Sequence, residues 1–102
     1  MEVLKISVDS FKKEVLEESN KVLVDFYADW CGPCKMLSPI VEDVAKEVEN
    51  VKFVKINVDE AQDLAIKYNI MSIPTLVLIK EGKEVNRVVG LVSKSELMEI
   101  IK

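Results

Sequence analysis

An α/β architecture is expected: a βαβ unit followed by a ββα unit, sharing a mixed central sheet with helices on both faces. Three observations point to it. The run VLVDFY, residues 22–27, is nearly continuous in apolar and aromatic side chains, the mark of a strand buried on both faces as in parallel sheets. Met36, Leu37, Ile40, Val41, Val44, Ala45 and Val48 then recur at helical spacing before a second strand-like run, VKFVKINV. Further on, two strand-like runs meet at Glu81-Gly82, and Ser93 with Glu96 reads as a capping box opening a terminal helix.

Taken in order, residues 3–6 (VLKI) suit a short first strand. Asp9 is a candidate cap for a helix carrying Phe11, Val15 and Leu16 on one face. Residues 22–27 form the next strand, and the aliphatic stripe after Cys34 forms the crossover helix, with Asn50 as its stop. Met36 is read with that stripe as core. Pro39 lies inside the helical pattern, where it removes a backbone bond and should kink the helix. Residues 51–58 complete the βαβ unit. Asp59 is a candidate cap for a short helix carrying Leu64, Ala65 and Tyr68. Residues 75–80 (TLVLIK) and 83–89 (KEVNRVV) pair as a hairpin. Leu97, Ile100 and Ile101 form the apolar face of the last helix.

The 102 residues suit one domain, 1–102, around one core. Apolar residues at 49% and charged residues at 31% describe a globular chain rather than a disordered one. No apolar run approaches the roughly 18–20 residues needed to span a bilayer. The start MEVLKISVDS lacks a basic segment followed by an apolar block, so it does not read as a signal peptide. A cytoplasmic location is the default expectation. Net charge is −4 with no lysine-arginine cluster, which argues against nucleic-acid binding. The chain has no histidine, and its two cysteines are too few for a four-ligand zinc site within one chain. No metal is therefore expected.

Both cysteines stand in one hexapeptide, Trp30-Cys31-Gly32-Pro33-Cys34-Lys35. It follows the first strand of the βαβ unit, where the crossover helix begins. In a reducing compartment such a pair is more often catalytic or metal-binding than structural. With metal disfavoured, redox chemistry leads, and Cys-x-x-Cys in a βαβ setting is a redox signature. Pro33 suits a helix start because it has no N–H to leave unpaired there. Residues i and i+3 share a helix face, so Cys31 and Cys34 can meet.

Together with VDFYAD before it and MLSPI after it, this hexapeptide closely resembles the thioredoxin family. The resemblance runs over almost the whole chain. Asp25, WCGPCK, Pro39, Lys55, Ile73-Pro74-Thr75, Gly82 and Gly90 all stand in order and at the family's spacing. Three positions depart from the commonest pattern. Tyr27 stands where many members have tryptophan, Ser72 where many have glycine, and Leu91 where a small residue is frequent after Gly90. The last two bear on which target surfaces fit.

The resemblance implies a role for each marked residue. Cys31 is the nucleophile, at a helix N-terminus where free N–H groups and the dipole favour a thiolate. The dipole supplies only roughly 0.3–1 kcal/mol, less than the ~1.4 kcal/mol of one pKa unit. Further acidity needs direct hydrogen bonds to sulfur. Cys34, one turn on and more buried, is the resolving thiol. Asp25, by its position alone, is equally a solvent-facing strand residue or a buried functional one. The resemblance favours the buried acid, its pKa raised by desolvation, exchanging a proton with Cys34. Lys55 reads alone as a solvated strand lysine, and by resemblance as the group that tunes Asp25. An X-Pro bond is cis in only about 5–6% of cases in folded proteins, so sequence alone makes Ile73–Pro74 trans. The resemblance makes it cis and places it facing the cysteines. An apolar contact surface of Trp30, Gly32, Pro33, Ile73, Pro74, Val89 and Gly90 follows by the same route.

The implied activity is general reduction of disulfides in other proteins. The chain would work as a monomer without a bound cofactor, with the dithiol restored by a thioredoxin reductase, flavin-dependent or ferredoxin-linked. Pro33 replaces the histidine that oxidising relatives often carry between their cysteines, which tilts the pair toward reductant. Two other readings remain. A disulfide oxidase or isomerase of similar fold would show a reduction potential well above that of glutathione. A non-catalytic interaction subunit would bind its partners normally with both cysteines replaced by serine.

Overall fold

The computed structural model describes residues 2–102. Its strands are β1 (Val3–Lys5), β2 (Lys21–Tyr27), β3 (Val51–Asn57), β4 (Thr75–Lys80) and β5 (Lys83–Val89). The helices are α1 (Val8–Phe11), α2 (Gly32–Glu47), α3 (Gln62–Lys67) and α4 (Lys94–Ile100). The strands form one sheet in the order β1-β3-β2-β4-β5. β3 runs parallel to both β1 and β2, while β4 is antiparallel to β2 and to β5. The expected βαβ and ββα halves therefore meet between β2 and β4, and the sheet is mixed.

Alternation along the central strands sends side chains to two separate cores. Leu23, Phe53, Leu76 and Leu78 pack under Leu37, Val41 and Val44 of α2 and Leu97 of α4. Val22, Val24, Phe26, Val54, Ile56 and Val77 pack on the other face, against Phe11 and Val15. Helices thus cover both faces, and β2 from Val22 to Phe26 is buried and apolar on both sides except at one position, Asp25. Its parity is that of Leu23, so Asp25 points toward α2.

Several local expectations change. The first helix has Ser7 rather than Asp9 at its N-cap, with the Ser7 N–H donating to Ser10 Oγ at 3.1 Å. Asp9 instead lies in the first turn, where an acid complements the helix dipole. Beyond Phe11 the helix widens into a π-helical segment, Lys12–Leu16. β3 stops at Asn57 because its side chain accepts the Asp59 N–H at 2.9 Å and starts a 3-10 turn, Val58–Glu60. Asp59 is consequently part of that turn, and Ala61 takes the N-cap of α3. α2 ends at Glu47, before Asn50, and carries Pro39 within its length. Met36 is largely exposed rather than core, because the buried stripe runs through Cys34, Leu37, Val41 and Val44 and leaves it on the flank.

Other signals act where they stand in the sequence. Ser93 Oγ accepts the Glu96 N–H at 3.2 Å, and a Glu96 carboxylate oxygen accepts the Ser93 N–H at 3.1 Å, closing the capping box of α4. Glu81 and Gly82 both have positive φ, 51° and 78°, as a two-residue hairpin turn requires.

Candidate active site

Cys31 occupies the N-cap of α2, and Pro33 falls in its first turn. An N-cap side chain normally offers an oxygen to the free N–H groups of the first turn. Here the acceptor is sulfur: Cys31 Sγ receives the Cys34 N–H at 3.2 Å. Cys31 and Cys34 are joined as a disulfide, with Cα atoms 5.2 Å apart. Cys31 Sγ also lies 3.8 Å from the Ile73 carbonyl oxygen. The Ile73–Pro74 peptide is cis, and the Pro74 carbonyl accepts the Gly90 N–H at 2.8 Å. That bond brings Val89 and Gly90 beside Pro74.

The two sulfur-bearing residues are equally buried, 4% exposed at Cys31 and 5% at Cys34. The expectation that Cys34 lies deeper is corrected, since the bridge draws both under the same small cluster with Ala28. Their surroundings differ instead. Cys31 forms part of the wall of an open groove of about 690 Å³. Cys34 faces a cavity of about 130 Å³ that it shares with Asp25, Lys35, Ser38 and Lys55.

Asp25 forms the floor of that cavity. Its side chain is 5% exposed, and its Oδ1 has no hydrogen-bond partner among the described residues. Burial pushes its pKa up to about 7, against the partial opposition of the Lys55 charge. Lys55 is the β3 residue directly in register with Asp25 on β2, and two residues in register across a sheet point to the same face. The Lys55 ammonium also sits 5.7 Å from the centre of the Tyr27 ring, which holds it at the cavity mouth.

Trp30 is exposed, and its indole Nε1–H donates to Asp59 Oδ2 at 2.9 Å. Gly32 and Pro33 are exposed beside it. Trp30, Gly32, Pro33 and Ile73 line the groove, whereas Pro74 is buried and Val89 and Gly90 flank it on the other side. The groove's remaining wall comes from the 3-10 turn, α3 and the loop after it, notably Asp59, Ile66 and Met71. These three were not among the expected contact residues. A signal was present: Ile66 lies off the helical stripe of Leu64, Ala65 and Tyr68, so an apolar residue was left facing outward. Among the described residues no group of three or more carboxylate, histidine or cysteine side chains could hold a metal ion. No helix among them is long and apolar enough to cross a membrane.

The arrangement can release two electrons as the sulfur–sulfur bond forms and take them up as it breaks, with Cys31 on the open groove and Cys34 on the cavity that holds the Asp25 carboxyl. A family model described as Thioredoxin matches residues 2–102. The chain is 47% identical over 97 residues to a thioredoxin of Rickettsia felis, covering 94% of this chain and 92% of that one. It is 52% identical over 89 residues to thioredoxin 1 of Synechococcus elongatus, covering 86% and 83%. Among solved structures, a mutant thioredoxin from Halobacterium salinarum superposes with a TM-score of 0.90 at 43% identity, covering 98% of this chain and 88% of that one.

Proposed function

The chain belongs to the thioredoxin family, and on that premise we propose how its residues divide the work of reducing disulfides. It is a protein-disulfide reductase acting by dithiol–disulfide exchange. The reading starts from the dithiol form. The Cys31 thiolate attacks one sulfur of a target disulfide, forms a mixed disulfide and expels the other target sulfur as a thiolate. The Cys34 thiolate then attacks Cys31 Sγ. The mixed disulfide breaks, the second target sulfur leaves, and the Cys31–Cys34 bond forms. Two electrons pass to the target, two protons complete its thiols, and every atom balances on sulfur alone. No resident cofactor enters.

One observation carries this reading: the Cys34 N–H points at Cys31 Sγ from the first turn of α2. In the dithiol form the same N–H stabilises a Cys31 thiolate, adding a direct hydrogen bond to the helix dipole. Asp25 supplies the second half. A carboxylate with a pKa near 7 holds or yields a proton at neutral pH, and the cavity between it and Cys34 is wide enough for a water to relay it. Lys55 tunes Asp25 by opposing its burial. Ile73 presents its backbone to an extended target segment, as in strand addition. Trp30, Gly32, Pro33 and Pro74 form the contact surface near Cys31, with Val89 and Gly90 at its far edge.

The reading extends to a monomer in the cytoplasm, recharged by a thioredoxin reductase and spending its electrons on disulfide-bearing proteins. Family membership supports this part. The test uses insulin with dithiothreitol as electron source. The protein should accelerate precipitation of the reduced chains, Cys31→Ser should abolish the acceleration, and Cys34→Ser should accumulate a trapped mixed disulfide. Full activity in Cys31→Ser would overturn the assignment. A redox titration of the pair separates reductant from oxidant.

A further inference from the structure

Two apolar side chains on the groove's α3 side are left in water. Ile66 is 74% exposed and Met71 is 92% exposed, although the nearby Leu64 packs half-buried against the core. Both line the same groove as Cys31, Pro33 and Ile73. The loop bearing Met71 is held at both ends: Arg87 Nη2–H donates to the Tyr68 carbonyl at 2.6 Å, and Thr75 Oγ1–H donates to the Ser72 carbonyl at 2.6 Å. The Ile70 N–H reaches back to the Ala65 carbonyl at 2.8 Å. The ledge is therefore set before any partner arrives, which lowers the ordering cost of binding.

The occupant follows from the chemistry of the reductase reading, on which this inference rests. A target sulfur has to reach Cys31 Sγ, and the open approach is the groove. The chain on either side of that sulfur must lie along its walls. In an extended segment alternate side chains face the same way, so those near the target cysteine meet the ledge. The groove's volume, about 690 Å³, is within the roughly 300–1,000 Å³ of sites that enclose a ligand. Its single ionisable lining group, apart from the bridged Cys31, is Asp59, which is acidic and engaged by Trp30. Nothing there attracts an acidic segment, and a bulky apolar side chain finds matching surface.

We infer that Ile66 and Met71 are specificity-determining residues, receiving a large apolar side chain beside the target cysteine and favouring such targets over polar or acidic ones. Met71, unbranched and polarizable, adapts to aliphatic or aromatic occupants alike.

The test uses disulfide-linked homodimers of short peptides in which the cysteine is flanked on both sides by Leu, by Ser or by Asp. The reduced protein should cleave the Leu peptide at least about tenfold faster in kcat/KM than the Ser peptide, a difference of about 1.4 kcal/mol. The Asp peptide should be slowest. The double variant I66S with M71S should bring the Leu and Ser rates within about twofold, while Met71→Leu should keep the preference; melting curves check that all variants are folded. Equal Leu and Ser rates in the unaltered protein, or a preference surviving in the double variant, would overturn the inference and leave the reductase reading intact. Failure to reduce any of the peptides would defeat that reading, and the inference with it. Sedimentation supplies the last arm. A monomer supports a target segment as occupant, whereas a dimer that dissociates in the double variant assigns the ledge to a second copy of the chain.

Discussion

Asp25 is a carboxyl buried at the expense of stability. A carboxyl titrates near 3.9 in an unfolded chain and at about 7 here, raised by burial. Between about pH 4 and 7 the folded protein therefore holds a proton that the unfolded chain has released. Stability falls as pH rises through that window and is constant above it. Each tenfold change in proton affinity is about 1.4 kcal/mol, so the loss above pH 7 approaches ~4 kcal/mol. Asp25→Asn should recover up to that amount at pH 8. Its advantage should fade to nothing near pH 4, as read by urea unfolding across pH. On the proposed role of Asp25 as proton acceptor for Cys34, the same variant should lengthen the life of the mixed disulfide at neutral pH. A stability gain that did not depend on pH would contradict a buried, titrating carboxyl.

At the scale of elements, the ends of helices place the chemistry. α2 is capped by a sulfur where other helices use a hydroxyl or carboxylate oxygen, so the capping interaction and the reactive centre are one contact. α4 uses the ordinary device, and there the energetics can be isolated. Removing the hydroxyl in Ser93→Ala leaves the Glu96 N–H without its acceptor and should cost about 1 kcal/mol. For a chain of this size that lowers the melting temperature by roughly 4–8 °C. Disulfide reduction should be unchanged, since α4 packs beneath the sheet and takes no part in the groove or the Asp25 cavity. An unchanged melting temperature would mean that the box contributes nothing to the folded state.

For the whole molecule, the mixed sheet supports two cores and thereby fixes the site from behind. Phe53 is fully buried at the centre of β3, two residues from Lys55 and in register with Leu23 of β2. Phe53→Ala should cost about 3–5 kcal/mol, a large share of the ~5–15 kcal/mol typical of a domain, measured by chemical denaturation. A cost below 1 kcal/mol would show that this core relaxes around the gap. The strand and helix order, the hairpin turn, the last capping box and the place of Cys31 at a helix start were all legible along the chain. Those rest on local physics: side-chain periodicity, positive φ at Glu81-Gly82, a proline in the first turn. The sequence also singled out Asp25, because an acid in an apolar strand is conspicuous. Which way Asp25 points, that Lys55 stands in register beside it, and that Ile66 and Met71 stand in the same groove as Cys31 emerge only once the chain is folded. Local rules misplaced the caps of α1 and α3 for the same reason they left these open. Burial, register and cavity shape arise from segments far apart in the chain, and no short stretch encodes where its distant neighbours will lie.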